Sequence, residues 1–529
     1  MNCLIKMYVS CYFLNGGIRG VYAFVLLVCQ ICLEADNAIY IFKFLRILVK
    51  GAYFCYCLTM PEKQDAASRL GTEPIGKLLL KFSIPAITGM LVNALYNVVD
   101  RIFVGQGVNE IALGGLSLVL PLMTIGMAFS MLFGIGAANM ISMRLGQGRR
   151  EDAVNALDHC FFLLIGIALL MMAIGLVFID PILSLMGAAE GSEALAYAKD
   201  YFRIILYGMV FAMVGFGLSH CTRAQGFPTI TMISMIMGAV LNTILDPIFI
   251  FVFKWGVEGA AWATIISQFV SAVFLLVFIT SKKAVVKLNP RVFKPDPEVI
   301  LQIMAFGSAQ FLLQFLMSAV QLLNNTSVGW YGAAALGVAN GGDIALSGMN
   351  INGSILMLIL MPIFGINQGA QPILGYNYGA KQFRRVLRAY LGAIAAATLI
   401  CVFGFAVAQI FTVPLVRLFA PDGSDALMMF APRAMRIMMI LLPLAGFQIV
   451  STNLFVVTGR PKISIFLSML RQCIALIPCI LIFGKFWGLW GVVAATPVAD
   501  GFSFLLTGTL IIFELKKLRG AGLNAVSPA

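Results

Sequence analysis

An amide and a carboxylate stand one helical turn apart at Asn242 and Asp246, inside an apolar run, with Pro247 directly after them. Proline has no N–H, so the carbonyl of Thr243, four residues back, loses its helical partner. A carboxylate, an amide oxygen and a freed carbonyl in one place are the hard oxygen ligands that a small cation takes. Another apolar run carries Asn93, Asn97 and Asp100 at i, i+4 and i+7, within one narrow helical face. A further run carries Gln310, Gln314 and Gln321, about 40° and 20° apart around a helix. Such a neutral amide row suits hydrogen bonding to varied substrates; the alternative is that it joins helices. Asp500 and Asp343 are weaker buried-acid candidates, the first because no partner is visible and the second because it lies near a loop. His159 and His220 fall near helix ends and read as structural.

The runs that position these residues define the class. Of 529 residues, 60% are hydrophobic and only 11% charged, where soluble domains average about 25% charged. The apolar runs reach 20 residues or more without alternation, so the chain is read as an all-α integral membrane protein and not a barrel. In that setting an ionisable group within a span costs about 2.5 kcal/mol or more, so it faces a cavity and serves a function. The net charge of +13 does not point to nucleic acid, because the basic residues sit in short loops.

Residues 1–59 stand apart. They hold Cys3, Cys11, Cys29, Cys32, Cys55 and Cys57, and the apolar stretch Val21–Leu33 is too short to span a bilayer. The lone Cys29/Cys32 pair has no second pair to form a metal site. A polar stretch follows Met60, which is read as the start of the core; the alternative is an added peripheral or spanning helix. From Leu78 onward there are twelve apolar segments, at 78–104, 112–142, 154–179, 200–222, 228–252, 257–280, 299–327, 341–374, 387–412, 427–456, 462–484 and 488–514. With both termini on one side, 22 basic residues fall on that side and five on the other, which makes it the cytoplasmic side of a multi-pass cell-membrane protein.

The stretch 281–298, with Pro290, Pro295 and Pro297, divides the spans into six and six: an N-lobe over 60–290 and a C-lobe over 291–529, joined by a flexible linker. The halves repeat. Gly134, Ile135 and Gly148 recur as Gly365, Ile366 and Gly379, and Gly226 and Pro228 recur as Gly459 and Pro461. Ile250, Phe251, Trp255, Gly256, Gly259, Ala263 and Thr264 recur as Ile482, Phe483, Trp487, Gly488, Gly491, Ala495 and Thr496. Two six-helix lobes of equal orientation imply a pseudo-two-fold along the membrane normal and a central cavity able to open to either face. Asn242 and Asp246 align with Ile474 and Pro478, so the acid chemistry belongs to the first lobe.

The chain resembles the multidrug and toxic compound extrusion (MATE) transporters over about residues 70–515. The resemblance is carried by Pro85 with Tyr96-Asn97-Val98-Val99-Asp100, by Leu145-Gly146-Gln147-Gly148-Arg149-Arg150 and by Arg223-Ala224-Gln225-Gly226 with Pro228. The copy Gly375-Tyr376-Asn377-Tyr378-Gly379-Ala380-Lys381 carries it in the second half. It implies a twelve-helix exporter, not an enzyme, that antiports organic and often cationic drugs against Na+ or H+, with no cofactor and no nucleic acid partner. Its cation site would be built from positions matching Asp100, Asn242, Asp246 and Thr264. Asp100 has a second reading as the partner of Arg101, and Thr264 as a packing residue. The stretch Phe216-Gly217-Leu218-Ser219-His220-Cys221 departs from the family by lacking an amide, which leaves Na+ and H+ open. A flippase for lipid-linked saccharides is the alternative within transport; it would favour a strongly cationic cavity. A monomer in the bilayer is expected.

Overall fold

The computed structural model describes residues 63–108, 110–186, 192–289, 294–338, 340–421 and 423–524; the 1–59 segment, its cysteines and Met60 lie outside them. The described chain is helical throughout. A short α1 (Lys63–Thr72) leads into α2 (Ile75–Gly107), α3 (Glu110–Gly146), α4 (Arg150–Val177), the short α5 (Ile179–Leu185) and α6 (Glu193–Ala224). Next come α7 (Pro228–Pro247), α8 (Gly256–Thr280), α9 (Pro297–Ala335), α10 (Gly341–Gly379) and α11 (Phe383–Ile410). The chain ends with α12 (Thr412–Phe419), α13 (Asp425–Met438), α14 (Leu442–Val457), α15 (Pro461–Met469) and α16 (Ile477–Asn524). Pro228, Pro297 and Pro461 open their helices, where a missing N–H costs nothing. Ser192, Asp296 and Ser424 cap theirs by accepting a backbone N–H.

Nine of these helices are long and apolar enough to cross a membrane singly: α2, α3, α4 and α6–α11. The pair α13 and α14, bent by 48°, makes one more crossing. The tract Pro461–Leu518 has 58 residues, about 87 Å of helix against a hydrocarbon core of about 30 Å. It reverses at Gly488 (φ 59°, ψ −138°), a backbone that a Cβ would strain, and so accounts for two crossings. Gly256, its partner in the repeat, has φ 57° at the same turn of the first half. Twelve spans result.

The repeat holds in three dimensions, with one correction. The turn after α3 pairs Arg149 N with Arg144 O, and the turn after α10 pairs Gln382 N with Asn377 O. Gly148 (φ 75°) therefore corresponds to Lys381 (φ 57°), and Gly146 to Gly379. The sequence match of Gly148 to Gly379 is two residues out of register, because it follows glycine identity where backbone hydrogen bonding sets the turn.

Two apolar cores form. One runs from Val104 to Ile303; the other gathers Val320 to Leu518 and takes in Leu70, Leu78 and Phe82 from α1 and α2. The bundles meet through α2 on α10 and α3 on α9. At these crossings glycines let backbones touch: Gly136 faces Ile303 and Gly307 faces Leu132, while Gly365 faces Ile87 and Gly369 faces Ser83. Polar bonds add to the seam. Gln371 Nε2 donates to Asn139 Oδ1 (2.7 Å), and Arg223 Nη1 to Gln368 Oε1 (2.6 Å). Arg385 Nη2 donates to Glu73 O (2.7 Å), and Asn377 Nδ2 to Leu70 O (2.9 Å). These bonds sit toward the end of the bundle that carries the α3–α4 and α10–α11 turns, and they close that end.

The described parts of the linker, residues 281–289 and 294–296, pack against the first bundle. Ala284, Val285 and Val286 are buried. Val286 N donates to Gln225 Oε1 (2.8 Å), Asn289 N to Asp158 Oδ1 (2.9 Å) and Asp296 N to His159 Nε2 (2.8 Å); Arg150 also reaches Val285 O. Side chains far away in sequence take up the backbone groups that the prolines leave without helix partners.

Candidate cation site

α7 ends at Pro247, and the chain continues as a π-helical turn over Ile248–Val252. A proline that interrupts the i−4 ladder is a standard cause of such widening. Directly before it, Asn242 and Asp246 are 2% and 0% exposed. Asn242 Nδ2 donates to Asp246 Oδ1 (3.1 Å) and to Thr264 Oγ1 of α8 (3.4 Å). Asp100, half-buried on α2, brings its carboxyl within hydrogen-bonding reach of Asp246. Thus Asp100, Asn242, Asp246 and Thr264, from three helices, meet in one cluster.

The cluster is under-satisfied in a particular way. Asp100 Oδ1, Asn242 Oδ1 and Asp246 Oδ2 are all buried oxygens without a hydrogen-bond partner. Buried acceptors left unmade cost about 1–3 kcal/mol each, more when charged. Two carboxyls this close cannot both stay ionised in a low-dielectric site. A proton, a hard monovalent cation, or one of each resolves both problems, because every free atom is an oxygen. Among the described residues no group of three or more His, Cys, Asp or Glu side chains is arranged to hold a metal ion, so this is not a thiolate–imidazole centre.

One member escaped the sequence. Tyr201 of α6 is 5% exposed and lies near Thr264, Asp100, Asp246 and Tyr96. A lone tyrosine within a long apolar helix gives no periodic signal; only the packing of α6 against α8 brings it in.

The remaining candidates divide. Asn93 lies half-buried on α2, and Asn97 is on the same helix, its side chain outside the described part. Gln310 and Gln314 are half-buried on α9, whereas Gln321 is exposed and donates to Asn325 Oδ1 (2.8 Å). Asp500 has the partner that sequence did not reveal, because Arg471 Nε sits 2.7 Å from its Oδ1. Asp343 is exposed in the first turn of α10. His159 holds the linker, and His220 Nδ1 lies 3.3 Å from the buried Arg223 guanidinium.

Known proteins share this fold. The MatE family pattern matches residues 85–248 and again 314–481, one copy in each half. The multidrug export protein MepA of Staphylococcus aureus (strain NCTC 8325 / PS 47) is 28% identical over 448 residues, covering 84% of this chain and 95% of its own length. MepA of Staphylococcus haemolyticus (strain JCSC1435) is 26% identical over 444 residues, covering 84% and 94%. Among solved structures, an outward-facing multidrug resistance MATE transporter of the MOP superfamily superposes with a TM-score of 0.79 at 26% identity, covering 87% of this chain and 100% of its own. A MOP superfamily transporter from Pyrococcus furiosus Vc1 (DSM3638) gives 0.78 at 26% identity, with the same coverage.

Proposed function

The chain belongs to the MATE family of multidrug efflux transporters, and on that premise we propose that it exports organic, often cationic, compounds against inward Na+ or H+ bound at Asp246. The observation that carries this reading is the trio of unpartnered buried oxygens on Asp100, Asn242 and Asp246. Asp246 is the coupling acid: it lies deepest, carries charge, and is held by Asn242, which coordinates but cannot ionise. Asp100 raises the cost of a second negative charge, so the two acids titrate together. Thr264 and Tyr201 supply neutral oxygens.

The bonded end of the bundle is the cytoplasmic one, as the 22-to-five basic asymmetry supports. The conformation described is then closed to the cytoplasm, in keeping with its likeness to an outward-facing relative. Drug and cation exchange on the outer side, and neutralising the acids favours the state that reopens inward. Gln310, Gln314 and Gln321 offer substrate hydrogen bonds without a fixed charge. Export is favoured over flipping a lipid-linked pyrophosphate because Arg471, near the middle of its span, is already neutralised by Asp500. The protein acts as a transporter in the cell membrane, without catalysis or a bound cofactor.

The test is drug efflux from vesicles with an imposed sodium or proton gradient. Asp246→Asn keeps the size and removes the charge; it should reach the membrane and lose gradient-driven efflux. Efflux equal to wild type in that variant would refute the assignment.

A further inference from the structure

The last span carries a polar stripe for which the cation site has no use. Asp500, Ser503, Thr507 and Glu514 fall within about 60° of one helical face and extend over about 21 Å. The stripe faces the preceding span, because that span supplies both ionic partners. Arg471 Nε lies 2.7 Å from Asp500 Oδ1, and Arg460 Nη1, at the residue before α15, lies 2.5 Å from Glu514 Oε2. Ser464 and Ser468, one turn apart on α15, are buried between these two rungs. Ser464 Oγ is committed to Thr452 O (3.0 Å). Ser503 Oγ and Thr507 Oγ1 are fully buried, and neither has a partner.

Two unpartnered hydroxyls, side by side on one face between two ion pairs, mark a seam that a protein would not keep dry. Water satisfies such groups when several polar partners converge. The ends are reachable: Arg460 is 34% exposed and Arg471 28%, while Glu514 between Arg460 and the interior is 4%. Tyr378, at the α10–α11 turn, also lies near Glu514 and Arg460.

We propose that bound waters fill the seam between the eleventh and twelfth spans from Glu514 to Asp500, and that this file carries protons through the second lobe, apart from the Asp100–Asp246 cluster. A proton taken up by the Asp500 carboxylate, at the deeper end of the seam, passes along the waters and the Ser503 and Thr507 hydroxyls toward the cytoplasmic end. Each oxygen accepts one proton as it gives up another, and Glu514 receives the last and releases it beside the exposed Arg460. Arg460 and Arg471 hold the end carboxylates in place. The proposal rests on the chain being a membrane transporter, and not on which cation Asp246 holds.

The test uses the full chain with Ser503→Ala and Thr507→Val together, near-isosteric changes that remove both hydroxyls. Two measurements apply before any transport assay. Hydroxyl-radical labelling generated from bound water should mark the 500–514 stretch in the wild type and fall on the order of tenfold in the variant. The melting temperature should stay level or fall. A dry seam predicts the reverse, no labelling and a raised melting temperature, since two unsatisfied groups would have been removed; that result overturns the proposal. In proteoliposomes with an internal pH dye, gradient-driven proton entry should drop on the order of tenfold in the same variant and in Glu514→Gln. Undiminished entry there, with entry lost in Asp246→Asn, would assign all proton traffic to the first lobe and also overturn it.

Discussion

Gly369 on α10 lies against the backbone of α2, and replacing it with alanine tests whether the closed end is one of two working states. A Cβ at this position would stand 2.8 Å from Ser83 N and 2.9 Å from both Phe82 C and Ser83 Cα. Ordinary contact begins at 3.4 Å, and these are backbone atoms that no rotamer change can move aside. The two helices must part by about half an ångström, an overpacking that costs about 1–3 kcal/mol. Under the proposed alternating access, a state open to the cytoplasm would separate α2 from α10 and would not bear this cost. Gly369→Ala should therefore shift the equilibrium toward it by about 5- to 150-fold. Spin labels at Arg149 and Lys381, exposed residues on either side of a groove of about 490 Å³, report the change as loss of the short distance and growth of a longer one. Gly353 lies on the same helix, and a methyl group added there would meet nothing within 4 Å, so Gly353→Ala should leave the distances unaltered. Identical distance distributions for Gly369→Ala and wild type would sink this account of the closed end.

Three further outcomes are expected. Tyr201→Phe removes one hydroxyl from the cation cluster and should weaken cation dependence a few-fold, about 1 kcal/mol, with expression unchanged; titration of efflux rate against external cation measures it. Arg471→Leu strands Asp500 at the middle of a span and should cost about 3–5 kcal/mol of stability, read as a lowered melting temperature, while adding Asp500→Asn should recover most of it. Gln314→Ala should alter the drug spectrum in a susceptibility panel and leave ion-dependent turnover in place; loss of transport for every drug would show that the amide row does not read substrate.

The spans, the repeat and the first-lobe acids are legible in the order of residues alone. These are local properties: hydrophobic length marks a span, Gly and Pro punctuate the turns, and residues three or four apart share a helical face. Asn242 and Asp246 stand out as a pair for that reason. Their meeting with Asp100 and Thr264 depends on how α2, α7 and α8 pack, toward which the sequence offers a resemblance alone. Packing in three dimensions settles the rest. Tyr201 joins the cluster from a helix with no polar periodicity, Arg471 finds Asp500 across 29 residues, and His159, Asp158 and Gln225 take up the linker's backbone groups. Helical spacing relates residues within about two turns of each other, whereas these partners are chosen by the close approach of separate helices. The closure of one end follows from the same cause: glycines and single side chains on α2, α3, α9 and α10 touch only once two whole bundles have been set against each other.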